Sequence, residues 1–207
     1  SGEGNSTLDG GDGIDTFRID LSNYIPLTET LDGGHEPFVY KADLSTGFVG
    51  SKNDPDHWNN DDIVNIENID YSGPYNTELI GDANDNIIQS GDGDDIIYAG
   101  GGNDFINSGD GSDVITTGSG LDTIVIKPDH VSYTMGSADR ITDFENGSDQ
   151  FALDGMSFSD ITIEQGSFNE YVNHTILTTS DGWLGVLENT TAININADDF
   201  YEVSLKA

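Results

Sequence analysis

The chain has 207 residues, of which 39 are acidic and 6 basic, for a formal charge of −33, and it contains no cysteine. Such a field repels nucleic acid and anionic membrane surfaces, and without thiols neither disulfides nor thiolate zinc sites can hold the fold. Only 34% of the residues are hydrophobic and the mean hydropathy is −0.40, so the core is lean and a further source of folding free energy is implied; oxygen-ligated hard cations fit the abundant carboxylates.

No apolar run approaches the roughly 18 residues of a membrane span, and residues 1–30 lack the basic-then-apolar layout of a secretory signal. The chain opens on Ser1, Gly2 and Glu3 with no initiator Met, the start expected of a fragment or processed product of a larger protein.

A nine-residue period organises the elements. Residues 1–9 and 10–18 read SGEGNSTLD and GGDGIDTFR, a first coil with Leu8 and Phe17 facing inward and a turn built on Gly11, Gly13 and Asp15. Residues 19–71 break the period and form an insertion. Within it, residues 38–40 and 63–71 carry strand patterns on either side of the polar loop 52–62. Trp58, Asp54 and Asp56 in that loop suit a sugar-stacking or extra cation site; the plainer reading is an ordinary loop with Trp58 folded onto the insertion's own core.

From residue 72 the period returns as SGPYNTELI, GDANDNIIQ, SGDGDDIIY, AGGGNDFIN, SGDGSDVIT and TGSGLDTIV, ending at residue 125. The eighth position is Leu79, Ile88, Ile97, Ile106, Ile115 and Ile124. Positions two and four are glycine in the last four units: Gly91 and Gly93, Gly100 and Gly102, Gly109 and Gly111, Gly118 and Gly120. Position six is Asp95, Asp104, Asp113 and Asp122, preceded by Asn86 and, one unit earlier, by Thr77. Six residues rich in Gly and Asp or Asn favour a tight turn with positive φ, and the next three place one aliphatic side chain between two outward neighbours as a minimal strand. Two units then make one coil of a parallel solenoid. Coils stack about 4.8 Å apart, so an ion midway between two turns would sit about 2.4 Å from each, a calcium–oxygen distance rather than a magnesium one. A linker of the same composition would not keep an aliphatic residue every nine positions. An EF-hand is excluded as well, because Ile87 stands where that loop needs Gly and no bidentate Glu follows.

These units resemble the RTX, or haemolysin-type calcium-binding, repeat. Residues 138–144 and 147–151 are similar to the segment that follows the roll in secreted RTX proteases, lipases and alginate epimerases. The resemblance implies ions held between turns eighteen residues apart. The earlier turn gives the carbonyls of positions two and four, the later turn those of one and three, and both give the position-six side chain. On this chain that joins Gly91, Gly93 and Asp95 to Ser108, Asp110 and Asp113, and Gly100, Gly102 and Asp104 to Thr117, Ser119 and Asp122. A third set joins Asp82, Asn84 and Asn86 to Ala99, Gly101 and Asp104, weakened by the missing charge at Asn86. The turn at Gly11, Gly13 and Asp15 is expected to bind although the insertion interrupts its stacking partner, and Asp139 is expected to complete the last site.

Residues 126–207 lose the period and are expected to cap the last coil. Residues 139–144 and 149–154 suggest a hairpin about the turn 145–148, residues 160–164 a third strand, and residues 171–179 and 183–188 a second hairpin about Ser180, Asp181 and Gly182. Catalysis finds little support, since His35, His57, His130 and His174 are scattered and no metalloprotease, serine-nucleophile or cysteine motif is present. The sequence thus points to an all-β protein, a parallel β-roll of residues 1–18 and 72–125 with an insertion and a C-terminal antiparallel β cap, binding several calcium ions and not an enzyme. The resemblance implies an extracellular bacterial protein exported by type I secretion machinery. The alternative is an accessory module binding polysaccharide for an attached enzyme or adhesin.

Overall fold

The computed structural model describes residues 7–20, 40–51, 61–128, 132, 134–167 and 171–205. Among these the chain is all β, with no α-helix. Its strands are β1 (Thr7–Asp9), β2 (Thr16–Asp20), β3 (Tyr40–Asp43), β4 (Phe48–Ser51), β5 (Asp61–Val64), β6 (Asn68–Ser72), β7 (Thr77–Ile80), β8 (Ile87–Gln89) and β9 (Ile96–Gly101). They continue as β10 (Phe105–Asn107), β11 (Val114–Ser119), β12 (Thr123–Ile126), β13 (Asp139–Ile141), β14 (Gln150–Asp154), β15 (Thr162–Gln165), β16 (Thr175–Thr178), β17 (Trp183–Leu187) and β18 (Phe200–Val203).

From β6 to β14 successive strands alternate between two sheets. One sheet runs β18-β14-β12-β10-β8-β6-β2 and is parallel throughout; the other runs β1-β5-β4-β3-β7-β9-β11-β13-β17-β16-β15. The register is that of the nonapeptide. Ile69, Ile88, Ile106, Ile124, Phe151 and Phe200 stack in one ladder, and Ala42, Leu79, Ile97, Ile115, Ile141 and Leu187 in the other. All of them are buried. Each Ile, Leu and Phe among them contributes roughly 1.5–3 kcal/mol through apolar burial, yet one such residue per nine leaves a core one side chain thick on each face.

The turns close because glycine occupies positions where an L side chain is strained and has no room. Gly109 and Gly111 have φ of 83° and 144°, and a Cβ on either would run into the carbonyl oxygen of Gly91 or Gly93 one coil earlier.

The insertion joins the roll rather than standing apart from it. β3 adds in parallel to β7 and so supplies the coil's missing strand, then turns back antiparallel through β4 and β5, and β5 pairs in parallel with β1. Lys41 ties the two parts together, its Nζ lying 3.2 Å from Glu78 and 3.3 Å from Asp43. Residues 63–71, expected as one strand, are two: Asn65 has a φ of 51° and sends β5 and β6 into different sheets. The expected strand at 38–40 is described only at Tyr40, which opens β3, while Trp58, Asp54 and Asp56 lie outside the described residues.

The C-terminal region corrects one expectation and meets another. β13 and β14 do not form a hairpin. They lie in different sheets and lengthen both parallel ladders, pairing with β11 and β12. β17 and β18 lengthen them again. The physical reason is that Asp139-Arg140-Ile141 and Asp149-Gln150-Phe151 keep the acid and apolar positions of the nonapeptide although the spacing between them is irregular. The antiparallel cap is β15-β16-β17, whose last two strands meet at the turn of residues 180–182.

Candidate metal centre

The turns form two edges of the roll. Along the first run the turns 72–77, 90–95 and 108–113 and then the approach to Asp139; along the second run the turns 81–86, 99–104 and 117–122 and then residues 142–149. Each position-six carboxylate reaches back to the turn one coil earlier. On the first edge Asp95 Oδ1 accepts the Thr77 N–H at 2.6 Å, Asp113 Oδ1 that of Asp95 at 2.9 Å, and Asp139 Oδ1 that of Asp113 at 3.0 Å. On the second, Asp104 Oδ1 accepts the Asn86 N–H at 2.8 Å, Asp122 Oδ1 that of Asp104 at 2.8 Å, and Asp149 Oδ1 that of Asp122 at 3.2 Å.

The Oδ1 atom of each carboxylate is therefore used, and where Oδ2 is left without a partner it decides the chemistry. Asp104, Asp113 and Asp122 are each at most 2% exposed, and the Oδ2 atom of each is buried without a hydrogen-bond partner. A buried, unpaired carboxylate oxygen is among the most costly groups in a fold. Burial pushes Asp113 up to about 9, helped by Asp139 and Asp95, and Asp104 up to about 7, helped by Asp122. Asp139 rises to about 7 and Asp95 and Asp149 to about 6, again chiefly through burial, and Asp122 moves in the same direction. Stacked like charges in a dry setting with unused oxygens are the donor set of a hard cation.

Among the described residues no three His, Cys, Asp or Glu side chains converge as a metal cluster, so backbone oxygens must complete any coordination. The turns are packed closely enough to provide them. Gly91 O accepts the Asp110 N–H at 3.0 Å, Asp82 O that of Gly101 at 2.9 Å, and Ser119 O that of Gly102 at 3.0 Å. A Cβ on Gly100 or Gly102 would collide with Asp82 or Asn84, and one on Gly118 or Gly120 with Gly100 or Gly102. The structure thus brings the turn of Gly91, Gly93 and Asp95 against that of Ser108, Asp110 and Asp113, the turn of Gly100, Gly102 and Asp104 against that of Thr117, Ser119 and Asp122, and the turn of Asp82, Asn84 and Asn86 against that of Ala99, Gly101 and Asp104.

Three further features escape a reading by nines. Asp149 takes the position-six place beyond the last repeat, so Asp122 does have a following turn. The first turn has a stacking partner inside the insertion, where Glu67 Oε2 accepts the Asp15 N–H at 2.7 Å and Asp15 O accepts the Glu67 N–H at 3.1 Å; Asp15 Oδ2 is also buried and unpartnered. An outer ladder runs through position five in the opposite sense. Asn76 Oδ1 accepts the Asp94 N–H and Asp94 Oδ1 that of Ser112, both at 3.0 Å, while Asp85 Oδ1 accepts that of Asn103 at 2.6 Å and Asn103 Oδ1 that of Leu121 at 2.9 Å. The run of Asn76, Asp85, Asp94 and Asn103 at nine-residue spacing is the signal that could have revealed it.

The RTX calcium-binding nonapeptide repeat matches in four copies, at residues 1–18, 71–106, 80–115 and 90–124. No curated protein matches the chain. Among solved structures, the AlgE6R3 subunit of the Azotobacter vinelandii mannuronan C5-epimerase is similar with a TM-score of 0.50 and 25% identity, covering 61% of this chain and 77% of that one. The AlgE6R2 subunit of the same epimerase gives a TM-score of 0.42 and 20% identity over 61% of this chain and 91% of that one. The extracellular lipase LipA of Serratia marcescens gives 0.34 and 13% over 95% of this chain, which spans 34% of the lipase.

Proposed function

We propose that this calcium-binding RTX β-roll is a module that folds on extracellular calcium and supports the type I secretion and the stability of a larger exported protein. The observation that carries the reading is the stack of buried position-six carboxylates whose second oxygens have no partner. A bound calcium ion would supply positive charge between successive turns. Asp104, Asp113 and Asp122 would hold it with their free Oδ2 atoms, together with carbonyls of the facing turns. Asp139 and Asp149 continue the two edges beyond the repeats, and Asp15 with Glu67 begins one of them.

Without cations those carboxylates repel one another, and the single-residue core is too thin to compensate. In a chain of charge −33 the calcium-dependent coils then stay expanded, which suits passage through a narrow export conduit. RTX-type sites with a dissociation constant of about 0.1 mM would each add roughly 2.7 kcal/mol at about 10 mM calcium, so a few of them exceed the stability of a typical domain. Circular dichroism should show β signal gained on moving from EDTA to calcium. A spectrum and melting temperature indifferent to EDTA would refute the reading. Asparagine at 95, 104, 113 and 122 should leave the chain exportable yet unable to compact outside the cell.

A second reading is supported by the likeness to a subunit of a mannuronan C5-epimerase. In it the roll is an accessory module that binds polysaccharide for an attached enzyme or adhesin. Retention on immobilised polysaccharide that is lost in Trp58→Ala would favour it over a purely structural role.

A further inference from the structure

One gap in the stack is built unlike the rest. Between the turns 72–77 and 90–95, the residue facing the later carboxylate is Thr77 rather than an acid. Thr77 donates to Asp95 Oδ1 twice, from its N–H at 2.6 Å and from its Oγ1 at 2.8 Å. The Ser90 hydroxyl donates to Asp95 Oδ2, and the two hydroxyl oxygens lie 3.4 Å apart. Thr77 and Asp95 are each 1% exposed. Both oxygens of this carboxylate are therefore satisfied by the protein itself, whereas Asp104, Asp113 and Asp122 keep an orphan Oδ2.

Replacing the acid is not enough to produce this arrangement. Asn86 also stands in for aspartate, one turn along on the other edge, but its side-chain amide donates to Glu67 O at 2.7 Å and to Asp82 rather than to Asp104, whose Oδ2 stays bare. Of these two neutral residues, Thr77 alone turns its side-chain hydrogen as well as its N–H toward the facing carboxylate. A neutral donor pair opposite one anion needs no counter-ion; two facing carboxylates do.

We infer that the gap between turns 72–77 and 90–95 takes no cation, and that the hydroxyls of Thr77 and Ser90 replace the ion there to make a calcium-independent first rung. This inference rests on the calcium reading of the other gaps. The rung joins β7 to β9 and stands where the insertion hands over to the uninterrupted repeats. Its function is to hold the coil register before cations arrive, so that the calcium-dependent coils of β10, β11 and β12 add to a template already formed.

Hydrogen exchange with mass spectrometry on the full chain tests it. In EDTA, amides of β7 and β9 should be protected while those of β10 and β12 exchange freely, and calcium should then protect the latter. Thr77→Val should lower the protection of β7 and β9 in EDTA by about tenfold or more, the equilibrium weight of one hydrogen bond to a charged group, and Thr77→Ser should retain it. Thr77→Asp places two carboxylates in the gap and should raise the calcium content of the folded chain, measured by elemental analysis, by one ion. Calcium-dependent protection that is equal at both sets of strands, or a Thr77→Asp chain with unchanged calcium content, overturns the inference while leaving the calcium reading intact. Exchange indifferent to calcium at every strand overturns the calcium reading itself. Should Thr77→Val fail to fold even in calcium, the ion count of Thr77→Asp decides.

Discussion

Asp113→Asn should change sign with calcium. The side chain is fully buried, its Oδ1 holds the Asp95 N–H at 2.9 Å, and its Oδ2 has no partner. Burial and the neighbouring Asp139 raise its pKa to about 9. Without calcium at pH 8 the folded chain must therefore take up a proton at Asp113 or bury a bare charge between Asp95 and Asp139. Asparagine keeps an oxygen for the Asp95 N–H, removes the charge and offers an amide to the carboxylates on either side. Relieving one unsatisfied buried acceptor is worth about 1–3 kcal/mol, so the variant should be more stable than the parent by roughly that amount in EDTA. In about 10 mM calcium the order inverts, because the variant loses a charged ligand and with it up to about 2.7 kcal/mol of linkage to the ion. Urea denaturation followed by circular dichroism, with sucrose added to the EDTA samples to populate the fold, reads both arms as shifts in the midpoint. A variant that is destabilised, or stabilised, in both conditions would refute the argument from the orphan oxygen.

Other outcomes follow from the same geometry. The raised carboxyls Asp95 and Asp149 (about 6), Asp104 and Asp139 (about 7) and Asp113 (about 9) contribute stability that is fully present below the unfolded value of about 3.9 and is lost as pH rises through the folded values; the calcium-free melting temperature should thus fall from about pH 4 to 9, and a rise would contradict it. Calcium affinity should climb across the same window, since each ion displaces protons, and calorimetry in buffers of different ionisation enthalpy would detect them. Ile106→Ala removes a fully buried rung from between Ile88 and Ile124 and should cost about 2–5 kcal/mol in calcium, measured by the urea midpoint. Asp104→Ala and Asp122→Ala should weaken calcium binding to a similar extent, because Asp149 gives Asp122 a following turn just as Asp122 gives one to Asp104; a much milder Asp122→Ala would place the end of the metal ladder at the last repeat.

What was legible in the sequence is what repeats locally. Leu79, Ile88, Ile97, Ile106, Ile115 and Ile124 fall on the two inner ladders because a three-residue strand has one inward position and the turn length fixes which one it is. The facing turns follow from the same count. What escaped depends on pairings far apart in the chain. The count by nines fails after residue 125 because seventeen residues separate Asp122 from Asp139 and ten separate Asp139 from Asp149, although acid and apolar residue still alternate correctly around each. The place of β3 beside β7 has no local signature, and neither has Glu67, which belongs to the insertion yet meets a turn 52 residues earlier. The role of Thr77 at position six has no signal in the sequence, since only the facing Asp95 shows that its hydroxyl is a donor in the right place.

The C-terminal end of the roll differs physically from its middle. At the C-terminal end the aliphatic rung gives way to aromatic rings: Phe144 and Phe151 stack with centroids 4.8 Å apart, Phe151 and Phe200 at 5.1 Å, and Phe158 closes on Phe200 at 5.1 Å. Such rings bury far more surface per coil than one isoleucine. There too the position-six carboxylate is satisfied from within, Asp149 Oδ2 accepting the Glu145 N–H at 2.8 Å, and Asp143 takes the N–H groups of Thr117 and Gly118 at 2.9 Å each, closing the last repeat turn. Among the described carboxylates of residues 72–125 the buried oxygens without a partner belong to Asp104, Asp113 and Asp122, and Asp15 adds one in the first coil. Unpartnered carboxylates in residues 72–125 thus lie between a rung satisfied by hydroxyls and rungs backed by aromatic rings. A chain so arranged need not nucleate a solenoid from nothing when calcium appears; it can close the coils of Asp104, Asp113 and Asp122 between the Thr77 rung and the aromatic C-terminal rungs.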